Sequence, residues 1–226
     1  MIADAGSRMD ALYAQFRGIR HGDFADHYQS ASQMPFLEPG AVVYDIGAYR
    51  GVYSVLAAQK GHRVYAFEAS PLNYPCLMQN CAGLNVTILP YGVHERTLHH
   101  SGPFNDCNAH ESQCVDLFTL DTLMEVHRLP APDLVKMDIE GMESVALKGA
   151  SMMLAYRPIL QISMHPGIQF AIPGCPGFVP VEEGGFDFSW FAQNGYEAFD
   201  LGANRMEDDW TQRWCEVLLY PKEQIV

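Results

Sequence analysis

Basic residues are scarce in this chain. Of its 226 residues, 14 are Lys or Arg against 27 Asp or Glu, a formal net charge of -13. A surface of that sign repels a phosphate backbone, so nucleic acid is not an expected partner. Long apolar runs are absent as well: no stretch reaches the length a bilayer span needs, and residues 1–10, with Asp4, Arg8 and Asp10, lack the apolar core of a secretory signal. The expectation is a soluble, cytoplasmic protein with no membrane partner. CxxC pairs are missing too. The six cysteines, Cys76, Cys81, Cys107, Cys114, Cys175 and Cys215, lie far apart, which argues against a disulfide framework and for free thiols. No repeat or low-complexity tract is present. The acids are spread along the chain, as on a solvated surface, and do not gather into a tail.

What remains is a chain that is 48% hydrophobic, enough for one sizeable core. Residues 1–40 read as a helical lead-in or lid, with an amphipathic helix over 8–19 and an extended or loosely helical stretch over 22–40. Residues 41–226 read as one domain. Strands are expected at 41–46, 63–68, 86–89, 134–139 and 159–164, alternating with helices at 51–59, 71–81 and 142–147. Ser70 is the expected N-cap of the 71–81 helix, with Pro71 at its first position. Residues 92–113 show no period and read as a loop, 115–120 as a further strand, and Asp121 as the cap of a helix reaching 128. A helix over 186–194 and strands at 196–201 and 215–220 complete the chain. Strand-helix alternation gives an α/β fold with a mostly parallel, doubly wound sheet of seven strands and helices on both faces. The last strand pair, with no helix between its members, gives an antiparallel edge hairpin. Residues 166–185 hold four prolines and five glycines. A connector that long usually carries function.

Three motifs carry chemistry. The first is Asp45-Ile46-Gly47-Ala48-Tyr49-Arg50-Gly51, where a buried strand meets a helix. Gly47 permits a tight turn and close backbone approach, and the helix N-terminus offers N–H groups to a ligand. The spacing is acid-x-Gly-x-x-x-Gly and not G-x-G-x-x-G, and Asp45 stands where a phosphate would be repelled. An acid there suits an ammonium group such as that of the methionine part of S-adenosylmethionine. The second is Glu68, 17 residues beyond Gly51, at the end of the second strand, where a carboxylate accepts bonds from two ribose hydroxyls. The third is the run Lys136-Met137-Asp138-Ile139-Glu140-Gly141-Met142-Glu143. Lys136 and Asp138 share one side of a strand and satisfy each other. Asp138 and Glu140, at the strand's end, are candidates for a base or a hydroxyl anchor. His165, after the fifth strand, is a second candidate base, since imidazole titrates near working pH. Each has a plain alternative: a generic turn, a surface Glu, a structural ion pair, a structural His. No metal is assigned, because His94, His99, His100 and His110, with Cys107 and Cys114, match no zinc spacing. A divalent ion on Asp138 and Glu140 is the other metal reading considered.

Together these residues resemble the FkbM family of methyltransferases, from about residue 41 to 166. Asp45, Gly47, Ala48 and Gly51 match its first motif. Phe67-Glu68, followed by Pro71, matches the second, with Asn80 and Asn85 where the family carries asparagines. Thr119-Leu120-Asp121 and the Lys136–Glu143 run, continuing to Leu147 and Gly149, match its later signatures, of which the last is the specific one. Two positions depart: Ala69 stands where the family often has proline, and Ser163 where it tends to place a glutamate two residues before its histidine. The resemblance implies a Rossmann-like class I methyltransferase fold and S-adenosylmethionine as cofactor, held by Asp45, Gly47, Ala48, Gly51, Glu68, Ala69 and Asp138. It further implies O-methylation of a hydroxyl on a sugar, glycan or other small metabolite, with Asp138, His165 and Glu140 as the catalytic set. Tyr28, Phe36, Phe170 and Phe178 are candidate walls for a sugar ring. The competing readings are a methyltransferase-like binding module without turnover and a nicotinamide-dependent oxidoreductase. The latter is disfavoured by the missing middle glycine. Oligomeric state is not legible.

Overall fold

The computed structural model describes residues 5–104, 113–165, 186–207, 210–211, 213 and 215–225. The expectations for 166–185, including Phe170, Phe178 and Cys175, and for Cys107 and His110 lie outside the described residues, as do the side chains of His99, His100 and Cys114.

The chain runs α1 (Ala5–Tyr13), α2 (His21–Ser32), β1 (Val42–Ile46), α3 (Val52–Gln59), β2 (Arg63–Phe67), α4 (Tyr74–Asn80) and β3 (Val86–Leu89). It continues through β4 (Gly92–Val93), β5 (Leu98–Phe104), β6 (Gln113–Phe118), α5 (Leu120–His127), β7 (Leu134–Met137), α6 (Glu143–Lys148) and α7 (Ser151–Ala155). β8 (Ile159–Met164), α8 (Ser189–Gln193), β9 (Tyr196–Phe199) and β10 (Cys215–Pro221) follow. The main sheet has the order β3-β2-β1-β7-β8-β10-β9. Every pairing in it is parallel except those of β10, which is antiparallel to both β8 and β9. The α/β, doubly wound, seven-stranded reading holds, and its reversed strand lies one in from the edge.

Both sheet faces are covered, which is why these strands read as nearly continuous apolar runs. Tyr44, Ile46, Tyr65, Phe67, Val135, Met137, Leu160 and Ile162 pack beneath residues of α5, α6, α7 and α8. On the opposite face Val43, Val64, Leu134 and Ile159 meet Ala31 of α2 and Tyr53 and Ala57 of α3. Strand alternation puts Asp45, Lys136 and Gln161 on this second face. They are paired in register across three neighbouring strands.

Four local expectations are corrected or narrowed. Of the two alternatives for 22–40, extended or loosely helical, residues 21–32 take the helical one as a regular helix, because Phe24, Tyr28 and Ala31 recur at helical spacing and Phe24 and Ala31 are buried. The α4 helix starts later: Asn73 is its N-cap and Pro75 its early proline, with 71–73 forming a turn closed by Asn73 N–H to the Ser70 carbonyl at 3.1 Å. Residues 92–113 contain β4 and β5, which pair with β6 in a small sheet of order β4-β6-β5. Thr119, not Asp121, caps α5 by accepting from Thr122 N–H at 3.0 Å. Asp121 instead accepts from Met152 and Met153 N–H at 2.9 and 3.2 Å, which caps α7.

Candidate active site

Neighbouring strands β2, β1, β7 and β8 end together, and their C-terminal ends carry Glu68, Gly47, Asp138 and His165 in that spatial order. From β1 the chain leaves toward β2 and β3 on one side, while β7 and β8 lie on the other. Ligands of open α/β sheets bind at such a switch point.

The first turn is built on backbone contacts. Gly47 and Ala48 N–H both donate to the Phe67 carbonyl at 2.9 Å, joining the turn to the end of β2. Gly47 has φ +81, and a Cβ there would lie 1.9 Å from the Asp138 carbonyl oxygen. The close approach that requires this glycine is therefore from the Asp138 backbone, not from a ligand. A Gly47→Ala variant should lose about 1–2 kcal/mol for its left-handed backbone and a similar amount for overpacking, measurable by urea denaturation. Gly51, at φ +88, lets α4 close in, since a Cβ would stand 2.8 Å from Leu77 Cδ1 and 3.0 Å from Cys81 Sγ. Ala48 is buried in the cluster that contains Phe24 and Val52.

Asp45 does not face the crevice. Its side chain is fully buried, its Oδ2 accepts from Ser54 Oγ at 2.6 Å, and its Oδ1 makes no hydrogen bond but faces Lys136 Nζ at 3.5 Å. Direct contact with a ligand ammonium, as the sequence suggested, is ruled out in this arrangement. Strand alternation turns the carboxylate inward onto the α3 face. Lys136 also reaches Asp138 Oδ2 at 3.5 Å and donates to the Gly47 carbonyl at 3.3 Å. Burial opposes its charge, but Asp138, Asp45 and Glu216 outweigh burial and hold the lysine above its ordinary range. The expected Lys136–Asp138 pair is present, and Asp45 makes it a triad.

Glu68 is buried at the crevice edge. Its Oε2 accepts from Tyr49 N–H at 2.7 Å, and its Oε1 from Ser70 N–H at 2.8 Å and Asn73 Nδ2 at 3.2 Å. Three donors thus fix the carboxylate beside the turn. Ala69 is half-buried against the Gly92 backbone, and its carbonyl accepts from Tyr74 hydroxyl at 3.4 Å.

Across the crevice His165 meets three acids. Its Nδ1 lies 3.0 Å from Glu143 Oε1, and its Nε2 lies 3.8 Å from Asp138 Oδ1 and 4.0 Å from Glu140 Oε2. Burial disfavours the imidazolium, yet the Glu143 bond and charge, then Asp138 and Glu140, prevail and raise His165 above its ordinary value. Asp138 is held below the usual carboxylate range: burial opposes this, but Lys136, His27 and His165 together outweigh it. Glu140, at φ +57 and half exposed, is pushed up by burial and by the Asp138 charge. Asp138, Glu143 and His165 each place one ligand-type atom within 4.8 Å of the others. Glu143 Oε1 accepts from Ile139 N–H and Gly141 N–H and lies 3.0 Å from His165 Nδ1, and we assign no ion to the cluster.

Sequence reasoning missed two residues at this crevice. His27 of α2 stacks on Tyr49 at 5.5 Å and is lowered by burial and by Lys136; leaving 22–40 between extended and loosely helical gave no face on which to place it. Glu216 of β10 accepts from Ser30 Oγ and from Gln161 Nε2 at 2.6 Å, tying α2 to the sheet. It stands opposite Ser163 in the β8–β10 register. Tyr28 packs against Phe24 and Phe36 points into solvent, so neither forms a wall here.

The donor set is a row of carboxylates at a strand-end crevice, which suits a cationic, hydroxyl-bearing cofactor and rejects a diphosphate. A curated relative, hexuronic acid methyltransferase AglP of Haloferax volcanii, is 27% identical over 141 residues, 58% of this chain. The chain spans 59% of that relative's length. Two solved structures share broad coverage at low identity. The TehB-like SAM-dependent methyltransferase of Corynebacterium glutamicum (15% identity, 95% of this chain and 93% of that one) has a TM-score of 0.46, and cofactor-bound Rv0187 from MTB (13%, 98% and 92%) one of 0.47. The methyltransferase FkbM domain matches residues 45–198, a span that takes in the turn, Glu68, the Lys136–Glu143 run and His165. A match of that extent, on a sheet of this strand order, makes the chain a member of the FkbM methyltransferase family, with S-adenosylmethionine as its cofactor.

Proposed function

We propose that the chain methylates a hydroxyl of a sugar or glycan, with His165 as the base and Asp138 as the anchor of the acceptor. The observation that carries this is the placement of His165 Nε2 3.8 Å from Asp138 Oδ1 at the mouth of the crevice. The relative's action on a hexuronic acid supports a saccharide acceptor.

S-adenosylmethionine supplies a methyl group on a positively charged sulfur. Glu68 would hold the ribose hydroxyls, and the 47–51 turn would take the methionine part. Asp45 acts from behind by keeping Lys136 charged and the turn in place. If an acceptor hydroxyl were methylated, with the sulfur–methyl bond breaking and S-adenosylhomocysteine leaving as the neutral thioether, His165 Nε2 would take the hydroxyl proton. Asp138, kept ionised by Lys136, accepts a hydrogen bond from the acceptor and favours the imidazolium that forms. Of the candidate bases, Asp138 is weaker than His165, because its neighbours stabilise the charged form. Positioning supplies much of the rate, since charge is lost in the transfer.

Mass spectrometry of products from a panel of neutral sugars and hexuronic acids tests the proposal. A mass gain of one methylene, lost by acetylation of the acceptor hydroxyl, is the expected result. A protein that binds S-adenosylmethionine but modifies no acceptor would favour the binding-module reading. Glu68→Ala should weaken cofactor binding by roughly 10- to 100-fold, the worth of one or two charge-assisted hydrogen bonds. Calorimetry showing an undiminished affinity would remove Glu68 from the ribose site.

A further inference from the structure

Glu143 opens α6 and is almost wholly buried. Its Oε1 accepts from Ile139 N–H and Gly141 N–H, both at 3.2 Å, and lies 3.0 Å from His165 Nδ1. The first two bonds close the turn that carries Asp138 and Glu140 onto α6. A first-turn acid does this at many helices, and such a cap needs no histidine. The third bond is of a different kind, for it joins the start of α6 to the end of β8 across 22 residues.

We infer that Glu143 is a positioning residue: it accepts the Nδ1–H of His165 and so holds the ring with Nε2 turned to Asp138 and Glu140 at the mouth of the crevice. A carboxylate at Nδ1 leaves the exchangeable proton position at Nε2, the atom the transfer uses. It also stabilises the imidazolium once the proton has arrived. Among the described residues, the charged groups facing this ring are Glu143 from α6 and Asp138 and Glu140 from the β7–α6 turn. Behind Asp138 stand Lys136 of β7, His27 of α2 and Glu216 of β10.

The inference rests on the proposed base role only for its effect on turnover. Glu143→Gln removes the charge and keeps an oxygen for Ile139 and Gly141. Nitrogen-15 NMR of the imidazole should show the neutral ring protonated at Nδ1 in the wild type and its midpoint lower by about one unit or more in Glu143→Gln. Turnover should fall by roughly 10²-fold, the lower part of what a positioned base contributes, with cofactor affinity within about threefold. Glu143→Asp should restore part of the midpoint shift. In a His165→Gln background Glu143→Gln should cost nothing more, since one acts through the other. An unchanged His165 midpoint, or an added loss in the double variant, overturns the inference. If Glu143→Gln fails to fold, an Nε2-protonated neutral ring in the wild type overturns it and an Nδ1-protonated ring upholds it. A wild type that methylates nothing sinks the proposed function instead, and the NMR result still decides Glu143.

Discussion

Lys136→Met should lower the unfolding free energy by about 3–5 kcal/mol, the cost of leaving a buried charge uncompensated, read as a fall in urea midpoint at unchanged slope. The size follows from what the lysine leaves behind. Asp45 is fully buried with one oxygen that makes no hydrogen bond, and Lys136, itself 1% exposed, is the cation beside it. Ser54 satisfies only the other oxygen. Asp138, at 20% exposure, has water to turn to and suffers less. The double variant Asp45→Asn/Lys136→Met should recover much of the loss, because removing both members of a buried pair is far cheaper than removing one. A single-variant loss under about 1 kcal/mol would show that Asp45 finds another partner, and the triad would then not be what holds the end of β1.

That triad marks the boundary of what the sequence discloses. The Lys136–Asp138 pairing is readable because residues two apart on a strand share a face. Asp45 joining them depends on β1 lying beside β7, a register 91 residues apart that no local pattern encodes. The same holds across the fold. β1, β2, β3, β7 and β8 are legible from short apolar runs followed by glycine or polar residues. β4 and β5 are not, for their sequence has neither alternation nor apolar density, and they exist through pairing with β6. The α2 helix was legible in principle from Phe24, Tyr28 and Ala31, but the polar residues between them masked the period.

His165→Ala should reduce turnover by roughly 10²–10⁴-fold, the range a positioned general base supplies, while cofactor affinity stays within a few-fold. The wild-type pH profile should carry the matching sign. An imidazolium cannot take a proton, so kcat/KM should climb as pH rises through a midpoint above the ordinary histidine value of 6.5, and this limb should be missing in the variant. Rates unchanged in His165→Ala would assign the proton to Asp138 or to solvent. The sequence points to His165 through its place after a strand. Ser163, where the resemblance leads one to expect glutamate, gives the ring no acid from its own strand, and Glu143 stands at the ring instead. The partner arrives from another strand-helix unit, which is why spacing along β8 could not reveal it.

The reversed strand has a consequence for synthesis. β9 precedes β10 in the chain but, among the described residues, joins the main sheet through β10. As the polypeptide leaves the ribosome, β9 emerges with no edge to join, and the β8 border stays open until residues 215–221 follow. During that interval the nascent sheet offers an unpaired template to other chains, a window in which a holdase chaperone has something to cover.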